Sequence, residues 1–163
     1  MRIIFSLLIL TLFTSVACNQ PSQSRLNGAW QADRDRTLEE VAKMEGLDEQ
    51  VQAMLATTEF FGKSIHVYQN GVLVVSVNEG LCTSFAAAFS DVQQDRNSMK
   101  AQLGEAATGT EAEFFEAKIV SGELHSSIPG FKQATGVEGK EIFLRVSLDD
   151  VKKNYPCVEE HLE

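Results

Sequence analysis

The sequence predicts an α+β fold, mainly one antiparallel sheet of about six strands with helices inserted between them. Three observations carry this reading. Asn70-Gly71 stands between two runs rich in β-branched residues, and Asn-Gly readily adopts the positive φ that a tight type I′ turn needs at both central positions. Ser121-Gly122 likewise separates two strand-like runs. Thr37-Leu38-Glu39-Glu40 reads as a capping box ahead of apolar residues at helical spacing. Strands joined as neighbouring hairpins pair antiparallel.

The elements follow in order. Leu26 to Ala32 is a first strand anchored by Leu26 and by Trp30, the only Trp. Asp33 to Arg36 is a solvated turn. Residues 37–57 form one helix weakened at Gly46, or two short helices with Asp48 capping the second. Ser64 to Gln69 and Val72 to Val77 make the Asn-Gly hairpin. Residues 81–104 are read two ways. Cys82, Phe85, Phe89, Val92, Met99 and Leu103 fall on a helical stripe, while Leu81, Thr83, Phe85, Ala87 and Phe89 alternate as a strand does. A helix is expected over 91–103, ended by Gly104, with 82–89 left open. Glu113 to Val120 and Glu123 to Ile128 form a second hairpin. A polar loop runs from Pro129 to Gly139. Glu141 to Leu148 is a further strand, and Asp149 to Lys153 is a helical turn broken by Pro156.

Composition narrows the function. The 163 residues carry a net charge of −9, which argues against a nucleic-acid binder that neutralises phosphates. Three Pro and 11 Gly argue against a low-complexity chain.

The first residues form a leader. Met1-Arg2 is followed by an apolar run from Ile3 to Phe13, the length of a signal-peptide core and too short to span a bilayer. Thr14-Ser15-Val16-Ala17-Cys18 then resembles the lipobox of bacterial lipoproteins, with Ser15 where that family usually has Leu. The resemblance implies a signal peptide over 1–17, a diacylglycerol on Cys18 and acylation of the new amine. It implies a membrane partner reached through that lipid. Asn19 is not the Asp that often retains such proteins at the inner membrane, so the resemblance points to the outer membrane, facing the periplasm. Without Arg2 the mature chain has 13 basic and 23 acidic residues, a net charge of −10. Residues 18–25 are then a lipidated Cys and polar tether, and 26–163 a single globular domain.

With Cys18 assigned to the lipid, Cys82 and Cys157 remain. In an oxidising compartment they are expected to form a disulfide. The alternative is two buried thiols.

Gly28-Ala29-Trp30 is similar to the G-x-W on the first strand of lipocalins and other calycins, small antiparallel barrels that bind apolar ligands. A helical segment directly after that strand is more similar to their fatty-acid-binding branch. The resemblance implies a lipocalin-like small β-barrel as the alternative architecture.

No nucleophile elbow, zinc-protease helix, Walker loop or dinucleotide fingerprint occurs. No cofactor and no metal site are expected. His66, His125 and His161 each have a plain structural reading. Asp33 with Asp35, and Asp149 with Asp150, read as turn and helix-start residues. Two functions are therefore expected. The first is a non-enzymatic envelope lipoprotein that binds a partner protein, a glycan or an apolar ligand. The second is a small periplasmic enzyme in which His66 or His125 converges with a carboxylate.

Overall fold

The computed structural model describes residues 23–85, 87–104 and 112–162. They form one sheet of nine strands rather than about six. In chain order these are β1 (Gly28–Ala32), β2 (Ser64–Gln69), β3 (Val72–Asn78), β4 (Leu81–Ser84), β5 (Phe89–Gln94), β6 (Ser98–Leu103), β7 (Glu113–Val120), β8 (Glu123–Ser127) and β9 (Lys140–Val146). The helices are α1 (Arg34–Val41), α2 (Glu49–Thr57), α3 (Phe131–Thr135) and α4 (Leu148–Asn154), with a closing 3-10 turn, Pro156–His161. The sheet order is β4-β3-β2-β1-β9-β8-β7-β6-β5. It curls into a half-barrel, so the expected six-stranded sheet with inserted helices is overturned and the lipocalin-like alternative fits better.

Most of the extra strands come from the region expected to be helical. Residues 91–103 are β5 and β6, turned by Asp95, whose carboxylate accepts from the Asn97 and Ser98 amides at 2.6 and 2.8 Å. The helical stripe loses to the alternation of Met99, Ala101 and Leu103, all buried and paired in register with β7. A tertiary partner decided between two periodicities that the local sequence allowed.

The curl is visible in the core. Tyr68 and Leu73 from β2 and β3 share one buried cluster with Met99, Ala101 and Leu103 from β6, near the other end of the sheet order. Trp30 and Phe143 complete that inner face. The outer face of β1–β3 carries Ala29, Ile65, Val67, Val75 and Val77, covered by Val151 of α4 and Val158 of the 3-10 turn. The disulfide between Cys82 and Cys157 clips that cover to β4, with Cα atoms 6.1 Å apart.

The sheet does not close between β4 and β5, and strand direction explains why. Every neighbouring pair is antiparallel, so counting outward from β1 makes β4 and β5 run the same way. Parallel neighbours need a crossover of about a dozen residues or more. Only residues 85–88 separate these two strands.

One end of the half-barrel is plugged. The Arg25 amide donates to Arg96 O at 2.7 Å, so the last residues of the expected 18–25 tether are tied to the body. Arg145 donates to Asn27 O at 2.9 Å and to Arg25 O, and its guanidinium lies 4.3 Å over the Trp30 ring. Gly71, at φ +80°, faces Gln94 so closely that a Cβ would meet its Oε1 at 2.5 Å. The other end is capped by α1, α2 and α3, whose Val41, Leu55 and Phe131 form a separate cluster with Leu47 and Phe61 from the connections.

The helix α1 starts earlier than the capping box implied. Asp33 is the N-cap and accepts from Arg36 N at 2.9 Å. Thr37 lies inside the helix, fully buried, and its hydroxyl accepts from the Ile142 amide of β9 at 3.0 Å. A second helix does follow Gly46, capped by Asp48.

Candidate functional site

The helix-capped end holds two neighbouring cavities. The first, about 440 Å³, lies at the mouth of the half-barrel. Ser64 and His66 reach it from the start of β2, and Ser76 and Asn78 from the end of β3. Glu141 enters from the start of β9, and Glu59, Phe60 and Lys63 from the connection between α2 and β2. The second cavity, about 530 Å³, lies between α2 and α3 and is lined mainly by Val51, Met54, Leu55, Phe131 and Ala134. Glu59, Phe60, Ile128 and Pro129 border both. Phe60 is 59% exposed where the two meet, with its ring edge-on to Phe61 at 5.0 Å.

Buried polar groups lie on the inner face of β2 and β8. His66 Nδ1 is buried with no hydrogen-bond partner among the described residues, and the Tyr68 and Ser126 hydroxyls have only each other. Strand register places them. His66 and Tyr68 share β2, and Ser126 of β8 stands opposite Glu141 of β9. The Tyr68 and Ser126 hydroxyls face each other closely enough that Ser126 partly offsets the burial that raises the Tyr68 phenol. A buried polar group without a partner costs about 1–3 kcal/mol, and of these three residues only His66 lines the cavity.

Burial sets the electrostatics. Desolvation pushes the His66 imidazole down to about 3, so it is neutral at neutral pH. Its ring stacks on Phe143, with centroids 4.3 Å apart. Burial raises the Tyr68 phenol well above its ordinary value. It also raises Glu141, partly offset by the Gly62 amide that donates to Oε1 at 3.0 Å. Lys63 sits at the rim, 2.8 Å from Glu79 and 3.1 Å from Glu59.

A third cavity of about 460 Å³ lies on the outer face of β6–β9. There Glu116 takes Lys100 and Lys140 at 3.1 Å each. Against the burial that would raise it, these two lysines hold its carboxyl below the usual range. Its charges are mutually satisfied, so it reads as a structural cross-strand row.

Comparison with protein-family models, with curated proteins and with solved structures finds no match. The site therefore rests on its own geometry.

Of the histidines singled out in the sequence, only His66 reaches the mouth. His125 lies on the opposite face of its strand, near Glu40 of α1, and His161 is in the 3-10 turn. Asp33 is a helix cap, and Asp149 and Asp150 occupy the first turn of α4. Trp30 is buried in the inner cluster, with its indole N–H donating to Leu26 O at 2.7 Å. Cys18 and the rest of the leader lie outside the described residues. Glu141, Tyr68, Ser126 and Phe60 were not anticipated. The one available signal was a Ser at an inward position of β8, two residues from Leu124.

Proposed function

We propose that this protein is a non-enzymatic binding module of the bacterial cell envelope, anchored through a lipid on Cys18, that takes a small amphipathic molecule at the helix-capped end of its half-barrel. The observation that carries the reading is the junction at Phe60. A polar cavity lined by His66, whose Nδ1 has no partner, borders an apolar groove of similar size there. A ligand with a polar head and an apolar body satisfies both, and covers the exposed ring. The inner face of the sheet is filled by Trp30, Tyr68, Met99, Leu103 and Phe143, each at most 2% exposed. The ligand therefore sits at the mouth rather than within the sheet.

His66 and Glu141 do meet in one cavity, as the enzyme alternative required. However, an imidazole held near 3 is a weak base at neutral pH. That favours binding over proton transfer. The disulfide favours an exported protein. The lipobox-like Ala17-Cys18 and the Asn19 that follows favour an outer-membrane anchor.

Titration with Nile red, a neutral solvent-sensitive dye, tests the site. Saturable one-to-one enhancement is expected, and Ala134→Trp, which fills the apolar groove, should abolish it. No saturable binding, or binding indifferent to Ala134→Trp, refutes the site. Acyl mass on Cys18 in the native N-terminal peptide, and release of Cys18→Ala from the membrane fraction, test the anchor. A Cys18→Ala protein that stays membrane-bound refutes it.

A further inference from the structure

We infer that the ligand carries a cationic head, so that the mouth selects an alkylammonium over a carboxylate of the same chain length. The inference rests on the binding reading above and deepens it. Three carboxylates, Glu59, Glu79 and Glu141, line the cavity against a single ammonium, Lys63. That ammonium is already committed, since it contacts both Glu59 and Glu79.

Glu141 is the decisive group. It is half-buried, and its only hydrogen bond among the described residues is the Gly62 amide on Oε1. No Lys or Arg forms an ion pair with it there. An ammonium brings three N–H donors and no acceptor. The cavity wall offers the Glu141 carboxylate, the neutral His66 imidazole and the Ser64 and Ser76 hydroxyls, each able to accept. A carboxylate head would instead add a second anion beside Glu141 in a poorly solvated cleft, with no unpaired cation to receive it. The unpartnered Nδ1 of His66, a residue that lines the cavity, is the independent sign that something polar belongs here. The charge balance decides its sign. The apolar body then crosses Phe60 into the groove between α2 and α3.

The test compares dodecylammonium, dodecanoate and dodecanol on the mature chain by calorimetry, each below its aggregation concentration. Dodecylammonium should bind about tenfold or more tighter than dodecanoate. Glu141→Gln should weaken dodecylammonium by about tenfold and leave dodecanol unchanged, because Gln keeps the acceptor for Gly62. Glu79→Gln, at an exposed rim position, should weaken it in the same direction and carries little risk to folding. Glu160→Gln removes the same charge at an exposed position outside the cavity and should change little. Dodecanoate binding as tightly as dodecylammonium overturns the charge assignment and leaves the binding site standing. Equal weakening by Glu160→Gln and Glu141→Gln means general attraction to an acidic protein, and also overturns it. If none of the three binds, the binding reading falls and this inference with it.

Discussion

Acidification should destabilise this protein well before its carboxylates titrate, and His66 is the reason. In the unfolded chain its imidazole takes a proton near the ordinary value of 6.5, whereas burial holds the folded value to about 3. Above pH 6.5 both states are neutral, and the group has no effect on the pH dependence. Below it the unfolded state binds a proton that the folded state refuses, so stability falls with pH. The slope approaches about 1.4 kcal/mol per pH unit, and by pH 5 the loss is about 2 kcal/mol. That is a large part of a typical total of about 5–15 kcal/mol. Glu40, Glu79, Asp95 and Glu116 are lowered too, but their contributions fade only below the ordinary carboxylate range. Glu141, raised by burial, works in the opposite sense and gains stability in acid. His125 is lowered in the same direction as His66, from a more open position. Over pH 5–6.5 the two histidines therefore work against Glu141, and His66→Gln isolates the His66 contribution. Urea unfolding followed through Trp30 should show a midpoint that drops between pH 7 and 5, with most of the drop gone in His66→Gln. A flat profile over that window, or a His66 ring that titrates near 6.5 by NMR, would refute the burial argument.

Three further outcomes are expected. Replacing Cys82 and Cys157 by Ser should cost about 2–4 kcal/mol, since the bridge closes a separation of 75 residues; a reduced protein with unchanged thermal stability would contradict it. Trp30→Ala should cost about 3–5 kcal/mol, because the ring is 1% exposed and also stacks under Arg145; soluble expression and thermal melting check it. Thr37→Val removes the hydroxyl that receives the Ile142 amide and should cost about 1–3 kcal/mol, whereas Thr37→Ser keeps most of the stability. Equal melting of the two variants would deny the bond its role.

What could be read from the sequence was local. The Asn70-Gly71 hairpin needed only its two central residues, which do adopt φ of 53° and 80°. The Cys82–Cys157 pair followed from counting. The α1 start was misplaced because Asp33 and Thr37 both suit an N-cap, and Thr37 is claimed by Ile142, far along the chain. Phe89, Met99 and Leu103 satisfied two periods at once, and only pairing with the neighbouring strands resolved them. The site was hidden for the same reason. His66 could be marked as a candidate, but Glu141 and Ser126 became its neighbours only when the sheet curled. Their strands meet through the β1–β9 pairing, which no local window contains.

That pairing also sets the order of assembly. The sheet consists of two meanders, β1–β4 and β5–β9, each made of strands adjacent in sequence. Within them the tightly turned β2–β3 and β7–β8 pairs are local and can form early, as hairpins do. Joining the two meanders means bringing Ala29 opposite Val146, a search across most of the chain. The seam is therefore expected to close late and to limit the folding rate. Substitutions in β1 and β9 should slow folding, whereas those at the outer hairpins should chiefly speed unfolding. A molecule caught with its seam open presents two bare strand edges, and a second copy in the same state can pair with them, giving a swapped dimer. Trp30 lies on β1 beside the seam, opposite Arg145, so stopped-flow fluorescence reads the closing step directly.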